Sequence, residues 1–214
     1  MGQGSCSQED CFNLLNLFEH VLESDPLIDE VGFIHPSQFT LLDKEARSSN
    51  DGTSASFWNQ DHKLGISTDI LIQLCRVAKH AFLAAFKEYK RHENASSESL
   101  TENISSGVSC CSLVSKVMKH SQVVLLLSSD FGTAWNARKL ILSKQNQPLE
   151  AFTEELRLSR LILSNCPKSE PTWSHRRWII KMISRSFSTP QDIILESRSQ
   201  EHKVIITNSN SLLL

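Results

Sequence analysis

The chain has 214 residues, of which 40 % are hydrophobic and 21 % charged, with a formal net charge of -2 and an isoelectric point near 6.4. That apolar share supports a buried core and excludes wholesale disorder, and the near-neutral charge gives the molecule as a whole no reason to bind nucleic acid or an anionic membrane. Any basic function must therefore be local. No run reaches the roughly 18 apolar residues of a membrane span, and the opening MGQGSCSQED lacks the basic and apolar regions of a secretory signal, so no span is predicted and the cytoplasm is the expected location. The six cysteines, Cys6, Cys11, Cys75, Cys110, Cys111 and Cys166, form no CxxC pair, and the eight histidines form no HExxH. The expectation is reduced thiols and no metal or other cofactor bound by this chain.

In chain order, FNLLNLFEHVL at 12–22 places Phe12, Leu15, Phe18 and Leu22 on one helical stripe, and Ser24-Asp25-Pro26 supplies its stop. Residues 26–66 mix apolar clusters with Pro and Gly and include the loop-like SSNDGTSAS, so this segment reads as irregular within an amino-terminal helical region at 1–92. Residues 67–91 carry Ile70, Leu74, Val77, Ala81 and Ala84 at spacings of three or four and predict a long amphipathic helix, with Ser67 or Thr68 as its N-cap. The Ser-rich stretch at 93–109 is nearly free of aliphatics and predicts a flexible linker. Beyond it, Leu113, Val117, Val124 and Leu127 mark the face of one helix, and Phe152, Leu156, Ser159 and Leu163 that of another.

Each of those helices is followed by a turn and a basic, Trp-containing helix, and the two copies align. AWNARKLIL at 134–142 matches TWSHRRWII at 172–180 without gaps and at one constant offset: Trp135 on Trp173, Asn136 on Ser174, Arg138 on Arg176, Lys139 on Arg177. Upstream, VVLLLSS at 123–129 matches SRLILSN at 159–165 if the second turn is two residues longer. Trp58-Asn59 precedes Trp135 by close to two such periods, yet Asp61 stands where the arginine would be, so it is no third copy. A helix pair of this size buries its apolar face only by stacking on neighbours. Trp173, Arg176 and Ile180 share one face of the second basic helix, and Trp178 projects about 140° away, so the two tryptophans serve different contacts.

WNARK and WSHRRW resemble the repeat signature of protein prenyltransferase alpha subunits, in which W-x-x-R recurs on the second helix of each hairpin, and FWNQDHKLGIS at 57–67 is similar to the amino-terminal region of one branch of that family. The resemblance spans most of residues 10–185. It implies an all-α chain of helical-hairpin repeats forming a short right-handed alpha-alpha superhelix, with two repeats at 110–184 joined through a disordered linker to the amino-terminal region. The pattern stops near Ser184, and the tail at 185–214 is expected to be divergent and disordered, as in a shortened or alternatively ended product.

The resemblance also implies a function. An alpha subunit wraps a prenyltransferase beta subunit that carries the zinc ion and most of the isoprenoid pocket, and the pair moves a farnesyl or geranylgeranyl group from its diphosphate to a C-terminal protein cysteine. The expected partners are thus that beta subunit, the cysteine-ended protein and, through the heterodimer alone, the isoprenoid diphosphate, with no nucleic acid. By position, Lys168 matches the family's diphosphate-contacting lysine, and Glu170 stands where the family has a tyrosine. Arg138, His175, Arg176 and Arg177 are expected to bind the partner subunit, where guanidinium groups hold carboxylates in fixed geometry. Trp135, Asn136, Trp173 and Trp178 are expected to be structural. A non-enzymatic helical-repeat adaptor is the alternative the residues leave open.

Overall fold

The computed structural model describes residues 8–38, 56–98, 106–144 and 147–186. Helix α1, Gln8–Ser24, buries Leu15 and Phe18 and ends where Ser24 Oγ donates to the Val21 carbonyl at 2.9 Å. Three short strands follow: β1, Glu30–Ile34; β2, Phe57–Gln60; and β3, Lys63–Ser67. Strand β3 lies in the middle, parallel to β1 with Val31 opposite Leu64 and antiparallel to β2 with Phe57 opposite Ile66. Asp61 and His62 turn β2 into β3 with positive φ at both residues, 50° and 63°, as a two-residue primed hairpin turn demands. The sheet corrects the irregular reading of 26–66. Its strands are too short for alternation to show, and the turn uses Asp-His in place of the usual glycine-containing pair.

One face of the sheet is apolar, with Val31, Phe57, Leu64 and Ile66 buried, and Phe18 of α1 stacks on Phe57 at 5.1 Å between ring centroids. Gly65 admits no larger residue without movement, because a Cβ there would stand 2.3 Å from Cδ1 of Ile34. Helix α2, Leu71–Glu98, is the longest element and buries Leu74, Ala78, Phe82, Ala85 and Tyr89, a stripe rotated from the predicted one, so that Ala84 is exposed. The helix runs on through Glu98, into the segment read as a linker. Residues 99–105, and the tail at 187–214, lie outside the described residues.

Helix α3, Ser106–Leu127, packs along α2 and begins the repeats. Over Cys110–Leu127 it is long and apolar enough to cross a membrane by length and composition, with mean hydropathy 1.2, which no count of consecutive apolar residues revealed. In this fold its Leu113, Val117 and Val123 to Leu126 are core, and its Lys119 pairs with Glu19 and Glu23 of α1 at 3.0 and 2.8 Å. Helix α4, Gly132–Leu142, folds back on α3; α5, Leu149–Asn165, and α6, Glu170–Ser186, form the second hairpin. The fold is thus mainly helical hairpins with a small sheet at the amino-terminal side, and β1 rests on α5, where the Val31 amide donates to Ser164 Oγ at 3.3 Å.

The two hairpins correspond in sequence at one constant offset. Leu127 and Asn165 end the first helices, Gly132 and Glu170 start the second ones, and each pair is set apart by the same interval as Trp135 and Trp173. The longer second turn expected from the aliphatic runs is therefore absent: the turns at 128–131 and 166–169 are equal in length, and VVLLLSS corresponds to LILSNCP at 161–167.

Candidate functional site

The signature residues of the two repeats perform the same local tasks. In the first hairpin the Trp135 indole donates to the Ser129 carbonyl at 2.8 Å; in the second the Trp173 indole donates to the Pro167 carbonyl at 2.8 Å. Each indole fastens its helix to the turn that precedes it, and the tertiary hydrogen bond satisfies a polar atom that would otherwise be buried without a partner. So short a turn gains from such a fastening, since neither first helix ends with a glycine in the left-handed region.

The arginines point into the hairpins. Arg138 Nη1 donates to the Met118 carbonyl at 2.7 Å and to Ser121 Oγ at 2.7 Å. Arg176 Nη1 donates to the Leu156 carbonyl and to Ser159 Oγ, both at 2.9 Å. Each serine hydroxyl in turn donates to that same carbonyl at 2.9 Å. The spacing from serine to arginine is identical in the two repeats, and it was a signal for this arrangement that pairing only the Trp and Arg positions passed over.

Glu155 on α5, 1 % exposed, joins the hairpins. Its carboxylate accepts from Arg138 Nε at 3.0 Å and from Arg138 Nη2, and from His175 Nε2 at 2.9 Å. Burial pushes its carboxyl up, but the Arg138 charge and the hydrogen bonds from His175 and Arg138 outweigh that and hold it at about 2 instead of 4.5. His175 is fully buried, its ring packed against that of Trp135 at 4.4 Å and a tilt of 34°, and near Trp178 at 5.7 Å between centroids. Burial lowers its pKa below 6.5, only partly opposed by Glu155, and its Nδ1 has no hydrogen-bond partner to receive a second proton. The ring is therefore neutral at neutral pH, with Nε2 protonated toward Glu155.

These contacts correct the interface role expected of Arg138, His175 and Arg176. At 4, 0 and 2 % exposure, they are buried and spend their hydrogen bonds on groups of this chain, not on an exposed face where a partner's carboxylates would dock. Arg177, one residue and about 100° further round α6, is exposed and pairs with Glu170 at 2.5 Å. Lys168 stands exposed in the second turn, beside Ser169, which links the two turns by donating to Asp130 Oδ1 at 3.3 Å. Asn136 is exposed, and Trp178 is half-buried with Lys139 Nζ 5.9 Å over its ring. A cleft of about 380 Å³ opens between residues 26–29 and α5, lined in part by Gln122, Arg138, Arg157 and Arg160, and Lys168 is not among the residues that line it. Among the described residues no three His, Cys, Asp or Glu side chains gather as metal ligands.

Fold and network together define a helical-hairpin repeat module in which Trp and Arg secure each hairpin from within. Residues 152–183 match the model of the protein prenyltransferase alpha subunit repeat, so the chain carries that repeat. The chain is 46 % identical over 68 residues, 31 % of its length and 16 % of the relative's, to the human protein named protein prenyltransferase alpha subunit repeat-containing protein 1. The zebrafish (Danio rerio) protein of the same name is 41 % identical over 68 residues, 32 % of this chain and 15 % of its own. The Xenopus laevis protein named 1-B is 46 % identical over 61 residues, 28 % and 13 % of the two chains. The matched part thus spans about a sixth or less of the length of these relatives.

Proposed function

We propose that the chain serves as the alpha-type, zinc-free subunit of a heterodimeric protein prenyltransferase in the cytoplasm, supporting transfer of a farnesyl or geranylgeranyl group to a protein cysteine by a beta subunit. The observation that carries this reading is the repeated Trp and Arg hairpin, together with the repeat match at 152–183. In the proposed reaction the cysteine sulfur bonds to the isoprenoid C1, the thiol proton is lost, and the diphosphate leaves with the electron pair. Developing negative charge on the leaving group is stabilised by a nearby cation. Lys168, exposed and without an ion-pair partner among the described residues, is free to supply one. Of the residues expected to contact the diphosphate or the partner, Lys168 and Arg177 are exposed, which supports assigning the contact to them.

The adaptor reading draws on a different observation. Glu170 sits two residues from Lys168 and is already paired with Arg177, so the turn offers a diphosphate a carboxylate as well as cations. Titration of the full chain with a prenyltransferase beta subunit, followed by transfer of labelled isoprenoid to a cysteine-ended protein, separates the two. The proposal expects a saturable heterodimer whose transfer exceeds that of the beta subunit alone and drops when Lys168 is changed to Ala. A heterodimer without transfer favours the adaptor, and no heterodimer refutes the subunit reading.

A further inference from the structure

The outer face of α2 has a chemistry that neither the repeats nor the proposed subunit role uses. Counting 100° per residue, Ile72, Arg76, His80, Leu83, Lys87, Lys90 and Arg91 fall within an arc of about 100° over a length of about 28 Å. This arc lies opposite the buried stripe of Leu74, Ala78, Phe82, Ala85 and Tyr89. All its members are exposed, Ile72 at 76 % and Leu83 at 47 %. Between Ile72 and Arg91 no carboxylate falls inside it, since Glu88 lies past its edge, and among the described residues Arg76, Lys87 and Arg91 pair with no acid. Lys90 only leans over the Phe86 ring, 4.9 Å from its centroid.

We propose that this ridge docks the protein on an anionic membrane surface, with Arg76, Lys87, Lys90 and Arg91 at the headgroups and Ile72 and Leu83 dipping among them. The charge distribution favours this occupant. Four cations gather on one face of a chain whose net charge is -2, so the attraction to an anionic bilayer is concentrated at this ridge and not spread over the molecule. The shape favours it too. The ridge is convex and carries two proud apolar side chains, without the concave pocket or alternating charges that would fix the register of a protein partner, whereas a bilayer demands no register. Because the opposite face of α2 is core, the helix lies on the membrane plane and does not enter it.

The full chain is mixed with phosphatidylcholine vesicles containing or lacking about one-third phosphatidylserine, and sedimented at low and high salt. Binding is expected only with phosphatidylserine, weakening as salt rises. Each basic residue near such a surface contributes roughly fivefold, so Lys87→Glu with Arg91→Glu should lower partitioning on the order of twentyfold or more. Lys181→Glu with Arg185→Glu, the same charge change on exposed residues of α6, should alter it far less. Ile72→Ser with Leu83→Ser should weaken binding severalfold while leaving its salt dependence in place. The proposal is overturned if the wild-type chain ignores phosphatidylserine vesicles at low salt, if the α6 control falls as far as the ridge variant, or if polyglutamate beads retain the chain and vesicles do not.

Discussion

Replacing Glu155 with Gln tests the central inference about the repeats, because one carboxylate there serves both hairpins. The side chain stays the same size, so packing is preserved, but Arg138 loses its counter-charge in a place where it is 4 % exposed. Removing one partner of a buried ion pair costs about 3 to 5 kcal/mol, since the other charge remains desolvated. The pKa gives an independent magnitude: a carboxyl held at about 2 in the fold and near 4.5 when unfolded corresponds to about 3 kcal/mol. The native pKa is the depressed one, so this stability is fully present above pH 4.5 and is lost as pH falls through 2. Urea unfolding followed by far-UV dichroism, from neutral pH down toward pH 3, reads both effects. The variant should be weaker by about 3 to 5 kcal/mol at neutral pH, and the gap should narrow on acidification below 4.5. A variant within about 1 kcal/mol of the parent at neutral pH, or a gap unchanged in acid, would refute the clamp.

Trp135→Ala should destabilise the chain by about 3 to 5 kcal/mol in thermal unfolding, since the indole is 2 % exposed and its loss leaves a cavity and an unmet Ser129 carbonyl. Ser121→Ala and Ser159→Ala should each cost about 1 kcal/mol by urea titration, the hydrogen bond to an arginine being lost without a change of shape. Arg177→Ala should shift stability by no more than about 0.5 kcal/mol, because its pair with Glu170 is largely solvated. For His175, the lowered pKa means stability present above pH 6.5 and lost as pH falls through the native value; a parent chain whose melting temperature is flat between neutral pH and about pH 5, or His175→Gln retaining the slope, would contradict this.

What the sequence made legible follows from periodicity. The helices are long enough for spacings of three and four to repeat, and a Trp and Arg pair recurring at a fixed interval located both hairpins. The sheet was hidden because strands of five residues hold at most two alternations, and because β1 and β3, parallel neighbours, are separated by the whole stretch of chain from Ile34 to Lys63. The direction of the arginines was hidden for another reason. W-x-x-R places Trp and Arg on one helix face but does not say whether that face meets solvent, a partner or the chain's own first helix. Ser121 and Ser159 held the answer, as hydroxyls spaced to receive the guanidinium groups. Glu155 had no such marker, since the matching position in the first repeat is Val117.

The inward arginines change where a partner has to bind. Arg138 bonds to the first helix of its own hairpin through Met118 and Ser121, and to the first helix of the next through Glu155, so it couples nearest neighbours in the stack. In a repeat array such neighbour contacts carry much of the stability. His175 adds a second tie in the reverse direction, from α6 to the Trp135 ring of α4 as well as to Glu155. The signature residues are thus committed to internal contacts, Trp135, Trp173 and Arg176 within their own hairpins and Arg138 to the next one as well, and they leave recognition to positions the signature does not fix. Adjacent residues in α6 make the division concrete: Arg176 is sealed against Leu156 and Ser159, whereas Arg177 faces solvent beside the exposed turn of Lys168. A partner that distinguishes this chain from another with the same repeats must do so through such outward side chains, because the buried ones do the same work in every hairpin that has them.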